Sequence, residues 1–253
     1  MGLFDFFSKG SPAGRDAAQG GKKKPDREFS RLARLVADKM SQNFDRQEAI
    51  TQLAAMGTSE SAAALLKRFS WSMDPSITDQ EEKESAARGI VAAGMDALGP
   101  IRTYCTKAES LTWPLKVLRQ IVPPDQVVDE LLSILDEFDT EYVRNVEPKL
   151  QLLAILEEYP GAEVREAVEP FLLDISEPVR FAAVTTTFAM NDPTALPALL
   201  ATLGEEESLR VRNRIAHGLS ERGWEIADAE RAKVREVLPP DFILDGGRVR
   251  RTS

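Results

Sequence analysis

Several chemically useful residues are scarce in this chain of 253 residues: it has one cysteine, one histidine, three tyrosines and three tryptophans. The single Cys105 excludes an intrachain disulfide and suits a reducing compartment. The single His217 excludes two-histidine metal motifs and any dyad of histidines. No apolar run approaches the length of a bilayer-spanning helix. The apolar start, Leu3 to Phe7, is too short for the core of a secretory leader and is interrupted by Asp5. Gly2 is present, but Phe6 stands where an acylation signal needs Ser or Thr. The expectation is a soluble, cytoplasmic protein with no transmembrane segment.

What is abundant is charge, and it is unevenly placed. The chain carries 32 Lys plus Arg against 41 Asp plus Glu, a formal net charge of −9. Residues 1–25 and 246–253 are each basic, so the body between them is far more acidic than the whole. Such a body repels a phosphate backbone, because non-specific nucleic-acid affinity rests on neutralising phosphates with Lys and Arg. Nucleic acid is therefore a disfavoured partner.

Residues 8–25 hold Gly, Pro, Ser and like charges with almost nothing apolar, the composition of a linker. From Asp26 the pattern changes to apolar residues three and four apart, as in Phe29, Leu32, Leu35, Val36 and Met40, which predicts an amphipathic helix. Helical periodicity continues almost to Leu238, in thirteen segments punctuated by Gly57, Gly94, Gly161, Gly204 and Gly223 as left-handed caps and by Pro124 and Pro193 as first-turn residues. No stretch alternates convincingly as a strand. The predicted organisation is an apolar peptide (1–7), a basic linker (8–25), an all-α body (26–238) and a tail that is basic at its end (239–253).

The segments are self-similar. Sliding the chain along itself until Arg46 falls on Arg180 also places Ala49 on Ala183, Ile50 on Val184, Ala55 on Ala189, Met56 on Met190 and Leu65–Leu66 on Leu199–Leu200. A shorter shift places Val179, Ala183 and Thr187 on Val211, Ile215 and Leu219, close to one unit of two helices. The stretch from Glu177-Pro-Val-Arg-Phe-Ala-Ala-Val to Asn191-Asp-Pro-Thr-Ala-Leu-Pro-Ala-Leu-Leu resembles a HEAT repeat of the phycobilin-lyase type. The resemblance extends more loosely over residues 45–238. It implies an α–α superhelix, a solenoid of about six helical pairs behind an amino-terminal capping helix at 26–41. Each pair buries its apolar face on its neighbour, and the inner row lines a concave surface. The fold alone does not fix a function.

Catalytic and metal chemistry finds little support in the residues. Iron-dependent members of the HEAT class use repeated His-Glu pairs, whereas His217 is followed by Gly218. Cys105 lies on an apolar helical stretch and reads as a packing residue. The glycines before Lys22 do not make a phosphate loop, since Asp16 takes the first glycine position and no Ser or Thr follows. Residues 241–252 fail as a calcium loop because Ile243 and Thr252 replace ligands. No catalytic, cofactor-binding or metal-binding residue is assigned.

Binding candidates are clearer. Arg46, Arg180 and Arg212 recur at equivalent positions and read as a structural ladder; the resemblance implies carboxylate partners from adjacent turns, with Asp192 or Asp174 serving Arg180. Asp125, Asp129 and Asp136, within the acidic run that continues to Glu141, read either as a solvated face, the usual state of a charge run, or as a docking surface for a basic protein on the concave face. Trp71 and Trp113, near connections between repeats, either close gaps between repeats or are further partner-binding candidates. Leu3, Phe4, Phe6 and Phe7 place three of the 11 phenylalanines ahead of a linker, as a peptide that docks on a partner, on the body itself, or weakly on a membrane surface. The expected function is a non-catalytic scaffold or adaptor. The alternatives are a chromophore-handling enzyme or chaperone resembling phycobilin lyases, and a DNA-repair protein resembling alkylpurine glycosylases, which the acidic body opposes.

Overall fold

A computed structural model describes residues 27–252. The first seven residues and the linker lie outside them. Among the described residues thirteen α-helices follow one another: α1 (Arg27–Ala37), α2 (Asn43–Met56), α3 (Ser59–Leu66), α4 (Ser76–Ala92), α5 (Leu98–Cys105), α6 (Thr112–Ile121), α7 (Val127–Leu135), α8 (Glu147–Leu156), α9 (Ala162–Val168), α10 (Glu177–Met190), α11 (Leu196–Glu205), α12 (Leu209–Arg222) and α13 (Arg231–Val237). Every helical segment expected from the periodicity is present. The starts of α8 and α13, expected at residues 141 and 225, differ most. Before α8 the chain stays in turns until Glu147, because Asp139 and Asn145 side chains accept from the backbone N–H groups of Glu141 and Glu147 in place of helical bonds. Before α13 the Ile226 N–H is taken by the Gly247 carbonyl at 2.8 Å.

The fold is mostly helical, with one exception that the sequence reading missed. Residues of the expected tail form an antiparallel hairpin, β1 (Phe242–Asp245) with β2 (Arg248–Arg251). Its two-residue turn is Gly246-Gly247, with φ of 56° and 81°, the positive values that a tight hairpin turn with right-handed twist requires. Phe242 and Val249 bury one face of it, against α13 and α12 respectively.

Packing joins helices close in chain order. One series of contacts runs α2 to α4 to α6 and another α8 to α10 to α12, while α1, α3 and α5, then α7 and α9, then α11 and α13 form further series. The spacing of small residues sets how near the axes come. A Cβ on Gly89 would lie 2.6 Å from the Cβ of Ala54, and one on Gly218 would overlap the Phe188 ring. At both places only glycine permits the observed approach of α4 to α2 and of α12 to α10.

The repeat seen in the sequence has a structural counterpart. Helices α2, α10 and α12 are each 14 residues long and end on left-handed residues at corresponding positions, Gly57 (φ 60°), Asn191 (φ 50°) and Gly223 (φ 59°). Gly94 is left-handed too, but two expected caps are not. Gly161 is extended and precedes α9, and Gly204 lies within α11, which runs on to Glu205.

Two of the three recurring arginines fork to carboxylates, and the partner of Arg180 is not one of those expected. Arg46 donates Nε and Nη2 to the Glu82 carboxylate at 2.7 and 2.8 Å. Arg180 makes the same fork to Glu206, at 2.7 and 2.8 Å, and not to the carboxylates of Asp174 or Asp192. Asp174 instead receives Lys149 Nζ at 2.7 Å, and Asp192 receives Arg165 Nε at 2.9 Å. Asp174 and Glu206, one repeat apart, play one role. Each accepts the N–H of a serine two positions on, Ser176 or Ser208, and so fixes the entry to the next long helix while a cation from α8 or α10 holds it. Arg212 departs from the expected pattern: it donates Nη2 to the Val237 carbonyl and meets no carboxylate among the described residues, and its Nε is buried without a partner there.

Candidate functional site

Helix α7 and its C-terminal cap carry Asp129, Leu132, Ser133 and Asp136 on one stripe, since positions three, four and seven apart share a helix face. The other stripe, Val127, Leu131, Ile134 and Leu135, is buried and orients the first toward the outside. Glu130, on the buried side, is matched by a fork from Arg102 at 2.7 and 2.6 Å. No basic side chain among the described residues pairs with Asp125, Asp129, Asp136 or Glu137.

Against the exposed stripe of α7 lies the end of α9, which continues as a 3-10 helix over Glu169–Leu173 that carries Pro170 and buries Phe171 in the core. Between them is a groove of about 760 Å³, floored by Leu132, Phe138, Ala167, Pro170 and Phe171 and rimmed by Asp129, Asp136, Asp139 and Glu166. Apolar floor and acidic rim together can take a segment that presents apolar side chains flanked by Lys or Arg. The structure thus brings Asp129 and Asp136 to one groove and leaves Asp125 exposed on the turn before α7. The sequence reading omitted Glu166. It is remote from Asp129 along the chain, and only the packing of α7 on α9 makes them neighbours.

The tryptophans are elsewhere. The Trp71 indole lies under the Arg68 guanidinium, 3.7 Å from its carbon to the ring centre, with Arg46 at 5.1 Å. Its Nε1 is buried without a partner among the described residues. It caps a charged core in which Glu82 also accepts from Arg68 Nε at 2.7 Å, and Asp79 accepts from Arg68 and Lys83, both at 2.7 Å. Burial pushes the Asp79 carboxyl up, and these two cations outweigh it, holding the group below the usual carboxylate range. Trp113 stacks on Phe69 with ring centres 5.4 Å apart and receives Lys116 Nζ over its face. Leu3, Phe4, Phe6 and Phe7 lie outside the described residues.

The reactive residue types are poorly placed for chemistry. Cys105 is fully buried, and burial pushes its thiol up to about 12, so it is no thiolate at neutral pH. His217 is half exposed on α12 with Nδ1 3.2 Å from Glu221. Among the described residues no three His, Cys, Asp or Glu side chains converge as a set of metal ligands, and no helix is long and apolar enough to cross a membrane. No family model, no curated protein and no solved structure matches this chain.

Proposed function

We propose that this protein is a non-catalytic scaffold of the reducing cytoplasm, a HEAT-like solenoid that holds a basic protein segment in the groove between α7 and α9. Support for the solenoid comes from helices packing on near neighbours and from cations that recur once per helical pair, as Lys149, Arg180 and Arg212 do. Support for the binding role rests on one contrast. The carboxylates that organise the fold, Glu82, Glu130, Asp174, Asp192 and Glu206, are each paired with Arg or Lys. Those on the stripe of α7 facing the groove are not, and their field would steer the approach of a basic partner.

The test is affinity capture with the full chain and with the double variant D129K/D136K. Both positions are exposed, so the variant is expected to keep its stability within about 0.5 kcal/mol of the parent and to lose a specific co-purifying protein. Recovery of the same proteins at the same yield by both chains would overturn the assignment of the groove.

A further inference from the structure

A second groove, of about 780 Å³, separates α3 from α5, a volume in the range of small-molecule sites. Its walls are Ala63 and Leu66 on one side and Gly99, Pro100 and Thr103 on the other. Gly99 has no packing or backbone reason to be glycine. Its φ lies outside the left-handed region, and a Cβ built on it meets no atom within 4 Å, unlike those of Gly89 and Gly218. It lies inside a continuous helical run from Gly94 to Cys105, where glycine destabilises a helix relative to alanine. What its missing side chain preserves is space in the groove. Gly204 is as open, but it lies one residue from the end of α11, where helix ends fray and the cost is small.

The polar groups of the groove complement one negative charge. Lys67, Lys107 and Glu109 line it, so its edge is positive by a single charge, and neither lysine pairs with a carboxylate among the described residues. The Tyr104 hydroxyl and Ser70 Oγ, also in the lining, lie 3.0 Å apart. Their mutual bond uses one of two hydroxyl hydrogens and leaves the other to donate. We propose that the groove between α3 and α5 binds a small apolar monocarboxylate, its hydrocarbon body along Leu66 and Pro100 and its carboxylate among Lys67, Lys107 and the Tyr104–Ser70 pair. Size favours a small molecule: the apolar walls run one helical turn each, Ala63 to Leu66 and Gly99 to Thr103, or about 6 Å, too short for a peptide with several anchors. A second carboxylate on the ligand would face Glu109 and be repelled. Burial of the apolar body supplies the attraction, and the lysines select the sign and orientation of the ligand.

Titration of the full chain with 2-naphthoate, followed by amide chemical shifts, tests this. Saturable shifts centred on residues 63–70 and 99–109 are expected. The variant G99L, which fills the groove, is expected to lose them, and K67E/K107E, which reverses its edge, to bind about tenfold more weakly. Gly99 and both lysines are exposed, so the unfolding midpoints of the variants are expected to stay close to the parent's. No saturable shifts, shifts centred elsewhere on the chain, or parental affinity in either variant would each overturn the proposal.

Discussion

Replacing Glu82 by alanine tests how the first two helical units are held together. This carboxylate accepts three charged hydrogen bonds, two from Arg46 and one from Arg68, and all three side chains are at most 2% exposed. In the parent the two arginines and Lys83 share two carboxylates, Glu82 and Asp79, with one positive charge in excess. Without Glu82 three cations face Asp79 alone, and Arg46 keeps only the Ser41 carbonyl and the Met73 sulfur as hydrogen-bond partners. Removing one member of a buried pair costs about 3–5 kcal/mol, because the charge left behind stays desolvated. A domain of this size has about 5–15 kcal/mol in all, and each kcal/mol moves its midpoint by about 2–4 °C. The expected fall for E82A is therefore on the order of 10 °C, followed by far-UV circular dichroism during heating and by urea titration. The matched control is E158A, which breaks the half-exposed Arg119–Glu158 pair and is expected to cost under about 1 kcal/mol. A loss for E82A no larger than for E158A would refute the view that this buried cluster is a structural clamp.

Two further outcomes follow from the packing and the charges. G218A drives a methyl group into the Phe188 ring, held by Trp224 at 5.8 Å, and overpacking of this kind costs about 1–3 kcal/mol; an unchanged urea midpoint would show that α10 and α12 can move apart freely. The Glu206 carboxyl is pushed up by burial but held below its usual range by the hydrogen bonds from Arg180 and the Ser208 N–H that outweigh it, as Asp79 is by Lys83 and Arg68. Groups depressed in the folded state stabilise it above their unfolded values near pH 4, and that contribution disappears as pH falls through the folded values. Stability is thus expected to drop below about pH 4, with E206Q less stable than the parent at pH 7 and showing a shallower acid loss; parallel pH profiles of the two chains would contradict it.

The helices were legible in the sequence because their signal is local. A stripe such as Leu32 and Val36 with its polar opposite face, or a cap such as Gly57, needs only residues a few positions apart. The correspondence of Arg46 with Arg180 was legible for the same reason: a repeated unit reuses one pattern. The hairpin at Phe242–Arg251 was missed since its strands are four residues each, too short for alternation to stand out, and the Gly246-Gly247 turn was the signal available. Gly161 and Gly204 were misassigned because a glycine permits a left-handed cap without enforcing one.

Sequence alone determined which residues have an apolar side to hide and roughly where each helix starts and stops, since these follow from short-range periodicity and capping. It also determined that cations recur at the heads of the long helices. Which carboxylate each cation meets was decided by tertiary structure. Arg180 pairs with Glu206 and not with Asp174 or Asp192, which are closer along the chain, because the packing of α10 on α12 brings that acid within reach of its fork, while Lys149 and Arg165 claim the other two. The groove that unites Asp129 with Glu166 is likewise a product of two helices lying side by side, and contacts between residues distant in the chain have no local periodicity to announce them.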